Sequence, residues 1–320
     1  MTSTANTSTS SRRLPGAAAV ALAATAALLA GCSSSSDNKS DNPLSGDKAS
    51  GDTVVVGSNN FAESILLADI YGEALKAKGI KVAYKPNIGT RETTYGLLKN
   101  GSVTVLPEYN GALLAYLDKK AAPKTVAATT AAINAKLDSK LTLLDPAPAQ
   151  NKDSITLNAA TAKKYHLTDK SSIADLKDAA KDLVIGASPE FQTRQQGLVG
   201  LKSVYKLEFK SFKALDAGGP LTQAALQKNT VQAADIFTTD PTIAKEKFVV
   251  LQDTENLFGF ENVQPLVSRS GLPQKGVDAL NAVSAKLDGA ALLDMDGQVQ
   301  LDDKDPLDVA KAWLKSVGLG

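Results

Sequence analysis

Few residues in this chain can do covalent or metal chemistry. The 320 residues contain one Cys and one His. A single thiol excludes a disulfide framework and any multi-thiolate metal site, and a lone His166 excludes a two-His zinc site. His166, in Lys164-Tyr165-His166-Leu167, reads as a surface histidine at a helix end. No G-x-S-x-G, Walker loop, H-E-x-x-H or G-x-G-x-x-G occurs, so hydrolase, nucleotide and dinucleotide readings lack their signatures. The informative residues collect where apolar runs break into polar sequence. These places are Gly57-Ser58-Asn59-Asn60, Pro107-Glu108-Tyr109-Asn110-Gly111, Ser188-Pro189-Glu190-Phe191-Gln192-Thr193-Arg194 and Phe237-Thr238-Thr239-Asp240-Pro241. Taken singly, each reads equally as a cap, a turn or a solvated loop. Four such segments, at corresponding places in two halves, suggest one cleft lined from both sides.

The elements that must carry them alternate. Thr53–Gly57 reads as a strand, Phe61–Lys78 as a helix closed by Gly79, and Ile80–Lys85 as a strand. Arg91–Lys99 then reads as a helix and Val103–Leu106 as a strand. Asn60 with Glu63 resembles a variant capping box at the start of the first helix. Downstream, strands are expected at Leu183–Gly186, Phe209–Phe212, Gln232–Phe237, Phe248–Leu251 and Val263–Val267. Helices are expected at Gln195–Tyr205, Leu221–Lys228, Ala279–Leu287 and Leu307–Val317. This βα alternation predicts open, mainly parallel sheets covered by helices, with ligands bound beyond the carboxyl ends of the strands.

The N-terminal region reads as an address. Arg12-Arg13 precede an Ala/Leu/Val run from Ala17 to Ala30, roughly 21 Å long as a helix against a bilayer core of about 30 Å. That is too short to span but suits a signal peptide over residues 1–31. The run closes in Leu29-Ala30-Gly31-Cys32, which resembles a bacterial lipobox and implies lipid on Cys32 after cleavage. Residues 32–52, rich in Ser, Asp and Asn, then read as a flexible tether. Acidic and basic residues nearly balance, 34 against 35, which argues against a nucleic-acid surface. Loss of Arg12 and Arg13 would leave the mature chain slightly acidic, so attachment would rest on lipid and not on a basic patch.

From Thr53 to Gly320 the chain resembles the glycine betaine/carnitine/choline-binding proteins of ABC transporters. Val56-Gly57-Ser58-Asn59-Asn60-Phe61-Ala62-Glu63 is similar to the family's opening "GSKNFTE"-like element. Pro107–Gly111 resembles its "PEYTGT", Gly186–Arg194 its "GSxPEFxxR", and Phe237–Asp240 its "AYTTD". Lys304-Asp305-Pro306 and the following helix match its ending. The resemblance implies an α/β fold of the type II periplasmic-binding class, with two α/β lobes closing on a small ligand. Lobe one would comprise 53–150 plus 258–320, and lobe two 151–257. It implies no catalysis and no cofactor. The implied partners are a small zwitterion or quaternary ammonium, an ABC permease with its ATPase, and the membrane through the Cys32 lipid on the outer face of the cytoplasmic membrane.

The resemblance also implies site residues. Tyr109 falls on a cage tyrosine, Phe237 on the tyrosine of "AYTTD", and Phe260 on that of a "PPYD" element. Arg194 falls on the carboxylate-binding arginine, and Thr238 belongs to the same "AYTTD" segment. Three positions depart from the pattern: Asn59 replaces a common Lys, Ala112 replaces a Thr, and Ser154 stands near a missing cage tyrosine. A quaternary ammonium with no N–H is held best by aromatic faces, and a carboxylate by the guanidinium fork. With one wall and two hydroxyls gone, a bulkier zwitterion or cation stays open as the ligand, and an enzyme on a bilobal scaffold stays open as the remote alternative.

Overall fold

The structure, a computed structural model, describes residues 53–320. The signal-peptide, Cys32 and tether expectations lie outside the described residues. The chain begins with β1 (Thr53–Asn59), α1 (Ala62–Ala77), β2 (Lys81–Gly89), α2 (Arg91–Asn100) and β3 (Val105–Tyr109). α3 (Asn110–Leu117), α4 (Val126–Asn134) and β4 (Leu141–Leu143) follow. A second set comprises β5 (Ile155–Leu157), α5 (Ala159–Lys164), β6 (Val184–Ala187), α6 (Leu198–Ser203) and β7 (Ser211–Ala214). It continues through α7 (Pro220–Gln227), β8 (Ala233–Asp235), α8 (Thr242–Glu246) and β9 (Val249–Val250). The chain then returns as β10 (Val263–Ser268), α9 (Gln274–Lys286), α10 (Gly289–Gln300) and α11 (Pro306–Ser316).

Two five-stranded sheets result, ordered β2-β1-β3-β10-β4 and β7-β6-β8-β5-β9. Each is the centre of one α/β lobe. In β1 the side chains alternate: Val54 and Val56 pack into a core with α1 and α9–α11, while Val55 joins a second core with residues of α2, α3 and α4. The second sheet is likewise buried on both faces, by clusters containing Ile155, Ile185 and Leu201 and containing Leu226, Ala234 and Ile236.

The sheets are not mainly parallel, as the βα alternation suggests. β1 pairs in parallel with β2 and β3, and β6 with β7 and β8. β10 runs antiparallel to β3 and β4, and β5 antiparallel to β8 and β9. The reason lies in the chain path. β5 and β10 are the strands that enter from the other lobe, so each starts at the cleft edge where its parallel neighbours end. The two connections run side by side near a Gln150–Asn262 bridge, with Asn151 N–H donating to Glu261 O at 3.0 Å. Phe258 still belongs to the lobe-two core.

α1 also starts differently from the capping-box expectation. Phe61 occupies the N-cap and no side chain caps the helix. Ser64 Oγ instead accepts from Asn59 N–H at 2.9 Å, and Glu63 turns inward to partners from three other segments.

Candidate functional site

The strand-end geometry makes a cavity between the lobes. Asn59, Tyr109, Ser188, Ala217, Asp235 and Phe237 reach it from the carboxyl ends of β1, β3, β6, β7 and β8, or from the loops that follow. Thr90 and Arg91 come from the turn into α2, while Asn151, Asp153 and Glu261 sit just ahead of the two crossing strands. The space measures about 620 Å³ including its mouth.

An aromatic group forms part of the wall. The Phe61 ring lies 5.0 Å from Phe237 and 6.0 Å from Tyr109, centroid to centroid, in tilted arrangements. Tyr109 is fixed in place: its hydroxyl donates to Glu63 Oε1 at 2.5 Å. Burial beside that carboxylate pushes the phenol well above its ordinary value, so it stays a donor. Glu63 also accepts from Asn151 Nδ2 at 2.9 Å and Thr239 Oγ1 at 2.6 Å. One carboxylate thereby links the cavity wall, a crossing segment and lobe two. Asp296, on α10, is buried against it, and burial with the Glu63 charge raises the Asp296 carboxyl well above the usual range.

Two arginines line the space, each facing a carboxylate. Arg91 Nε donates to both oxygens of the buried Glu108, at 3.1 and 3.0 Å, within lobe one. Arg194, in lobe two, reaches across to Glu92 of α2, with Nη2 at 2.9 Å from Oε2. Partial burial would raise Glu92, but hydrogen bonds from Arg194 and Thr90 prevail and hold it down to about 2. Three further acids share the wall. Burial, and then the nearby Asp153 charge, push Glu261 up to about 8. Burial likewise raises Asp153 and Asp235, and the nearby Asp153 charge adds to the rise at Asp235.

Of the residues singled out from sequence, Tyr109, Arg194, Phe237 and Asn59 come together at the cavity. Asn59 is buried, and its Oδ1 accepts from Thr94 Oγ1 at 2.8 Å. Three others lie elsewhere. Ser154 turns into the sheet, with its hydroxyl donating to Ile236 O at 2.6 Å, so that Asp153 is the residue presented to the cavity. Thr238 is exposed and pairs with the Lys152 backbone through two bonds of 2.9 Å. Phe260 lines a separate depression and lies 5.8 Å from Lys152 Nζ. His166 is exposed, as its sequence context suggests.

Sequence reasoning missed Arg91, Asn151, Asp153, Asp235 and Glu261. Arg91 follows a strand exit and was within reach of that criterion. Asp235, at the carboxyl end of β8, was within the same reach, and the other three required knowing where the chain crosses between lobes.

The chain is similar to known proteins in sequence and in fold. Residues 52–316 match the profile described as the substrate binding domain of ABC-type glycine betaine transport system, named OpuAC. The chain is 29% identical over 277 residues to the glycine betaine-binding protein YehZ of Escherichia coli, covering 83% of this chain and 90% of that one. It is 25% identical over 274 residues to the ergothioneine transport permease/ergothioneine binding protein EgtU of Helicobacter pylori, covering 83% of this chain but 48% of that longer one. A solved glycine betaine/carnitine/choline ABC transporter structure shares the fold, with a TM-score of 0.65, 23% identity and coverage of 83% and 99%. The chain therefore belongs to the OpuAC family, the substrate-binding domains of ABC-type glycine betaine transport systems, with the two-lobed periplasmic-binding fold and no enzymatic role.

Proposed function

We propose that the protein is the extracytoplasmic capture component of an ABC importer, holding a quaternary-ammonium compatible solute such as glycine betaine and presenting it to a permease driven by a separate ATPase. The observation that carries this reading is the Phe61–Tyr109–Phe237 group on the wall of an interlobe cavity. A methylated ammonium is cheap to desolvate and attracts aromatic faces. Arg194 is the proposed partner of a ligand carboxylate, which would compete with Glu92 for the same guanidinium. Binding involves no chemistry: the ligand stabilises closure to the extent that it binds the closed lobes more tightly than the open ones.

Calorimetry of the purified protein with glycine betaine, carnitine and choline tests the reading. Removing one aromatic face is worth about 0.5–2 kcal/mol, so Phe237→Ala should weaken betaine binding roughly 2- to 30-fold. Its ligand-free melting temperature should change little. Unchanged affinity would remove Phe237 from the site.

A second reading, a bulkier zwitterion of the kind the Helicobacter relative's name specifies, is favoured by Asp153 facing the cavity beside the inward-turned Ser154. We also propose anchorage through lipid on Cys32, which lies outside the described residues. Cys32→Ala should move the protein from the membrane fraction to the soluble fraction. Its retention in the membrane would refute the anchor.

A further inference from the structure

Two short segments, one from each lobe, meet with the same spacing. Phe61 and Glu63 open α1, and Phe237 and Thr239 follow β8. The Phe61 and Phe237 rings lie 5.0 Å apart, centroid to centroid. Two residues further along each segment, Thr239 Oγ1 donates to Glu63 Oε2 at 2.6 Å. One apolar contact and one charge-assisted hydrogen bond thus join the lobes side by side.

The hydrogen bond is sheltered. Glu63 and Thr239 are 3% and 7% exposed, and neither lines the cavity between the lobes. Both line a second depression, which shares Phe61 and Phe237 with that cavity. A ligand in the cavity therefore reaches the rings without displacing this bond, whereas its carboxylate would compete with Glu92 for Arg194.

Both partners are held from behind. Glu63 Oε1 accepts from the Tyr109 hydroxyl at 2.5 Å and from Asn151 Nδ2 at 2.9 Å, which fixes the carboxylate to the aromatic wall and to a crossing segment. On the other side, Asp240 N–H donates to Phe237 O at 2.9 Å and closes a turn around Thr238, which itself pairs twice with the Lys152 backbone. In a turn closed this way, Thr239 cannot shift without carrying the Phe237 ring with it.

We propose that Thr239 and Glu63 are positioning residues for ligand binding: their hydrogen bond is a clasp, made as the lobes meet, that seats the Phe237 ring against Phe61 and slows ligand release. This rests on the reading given under Proposed function and adds to it two residues that touch no ligand. When the lobes part, water takes the place of each partner, so losing the hydroxyl penalises the closed form and leaves the open form nearly unchanged. Such a clasp acts on dissociation more than on association.

Release of radiolabelled glycine betaine from the purified protein into excess unlabelled glycine betaine measures that rate. Thr239→Val keeps the side-chain shape but removes the hydroxyl, and should release the label about tenfold faster. Thr239→Ser restores the hydroxyl and should stay within about threefold of the wild-type rate, and association should change less than about threefold in both. A merely structural threonine would lower the melting temperature of Thr239→Val without altering release. Thr239→Ala takes its place if Thr239→Val fails to fold. Wild-type release from the variant without the hydroxyl, or equally fast release from Thr239→Ser, would overturn the clasp. If glycine betaine, carnitine and choline all fail to bind the wild-type chain, the proposed function falls, and ligand-free solution scattering then decides the clasp alone. A larger radius of gyration for Thr239→Val than for the wild type and Thr239→Ser would support it, and equal radii would overturn it.

Discussion

Glu63 and Glu261 are buried carboxylates with opposite consequences. Glu63 accepts from Tyr109, Asn151 and Thr239, three groups that would each lose a partner if it were shortened. Glu63→Ala should cost about 2–4 kcal/mol in urea unfolding, the usual penalty for leaving several buried donors unmet. Glu261 works against stability as pH rises. Its carboxyl titrates near 4.5 when exposed and near 8 when folded, so between those values the unfolded chain binds fewer protons. Its contribution is fully present below about 4.5 and is lost as pH rises through about 8. Glu261→Gln should flatten the fall in melting temperature across that window. An unchanged slope would assign the pH dependence to other groups. At this scale the segments holding Tyr109, Phe237 and Arg194 were legible because strand exits in α/β folds face ligands, and the family resemblance singled out those residues within them. Asp153 and Glu261 were not, because they precede strands whose direction is set only by the crossing between lobes. Glu63 read as a helix-cap partner because local spacing cannot reveal contacts made 46 to 176 residues away.

Four helices were legible to within a residue or two, whereas α9 starts five residues ahead of the expected Ala279 and α10 was not expected. α1, α2, α7 and α11 each carry a helical apolar period with a clear stop or start. The three-residue strands β4 and β5 have too little length for a period to show. α3 follows β3 directly, and the Asn110-Gly111 pair that opens it reads from sequence as a strand exit or turn and not as the start of a helix. Gly72 illustrates packing that overrides propensity. It sits inside α1, where Ala would favour the helix by about 1 kcal/mol. A Cβ there would lie 2.2 Å from the Tyr84 hydroxyl, which is held by Glu73 at 2.9 Å. Gly72→Ala should therefore destabilise the protein, by about 1–3 kcal/mol in chemical unfolding, despite its helix propensity. A stabilised variant would show that Tyr84 swings aside freely.

Across the whole molecule, the pair of Arg194, which lines the cavity, with Glu92 of α2 joins lobe two to lobe one. Glu92 titrates near 4.5 when unpaired and near 2 in this arrangement, so the pair contributes fully above about 4.5 and is lost as pH falls through about 2. Solution scattering of the ligand-free protein should report a larger radius of gyration as pH is lowered across that window. Glu92→Gln should show the larger radius already at neutral pH. Identical curves for the two proteins would exclude the pair as a determinant of closure. The two-lobe plan was legible from the paired sets of strand exits, but the antiparallel entry of β5 and β10 was not. That entry has a consequence for the order of events on the ribosome. The second sheet is encoded by one continuous stretch, from β5 to β9, whereas the first has a central strand that emerges after all of it. The nascent chain must therefore carry β1–β4 with an unfilled seam while lobe two becomes complete, and β3 gains its second neighbour only when β10 arrives. Exported in the same N-to-C direction, the first half of the protein to appear would be the last to be finished.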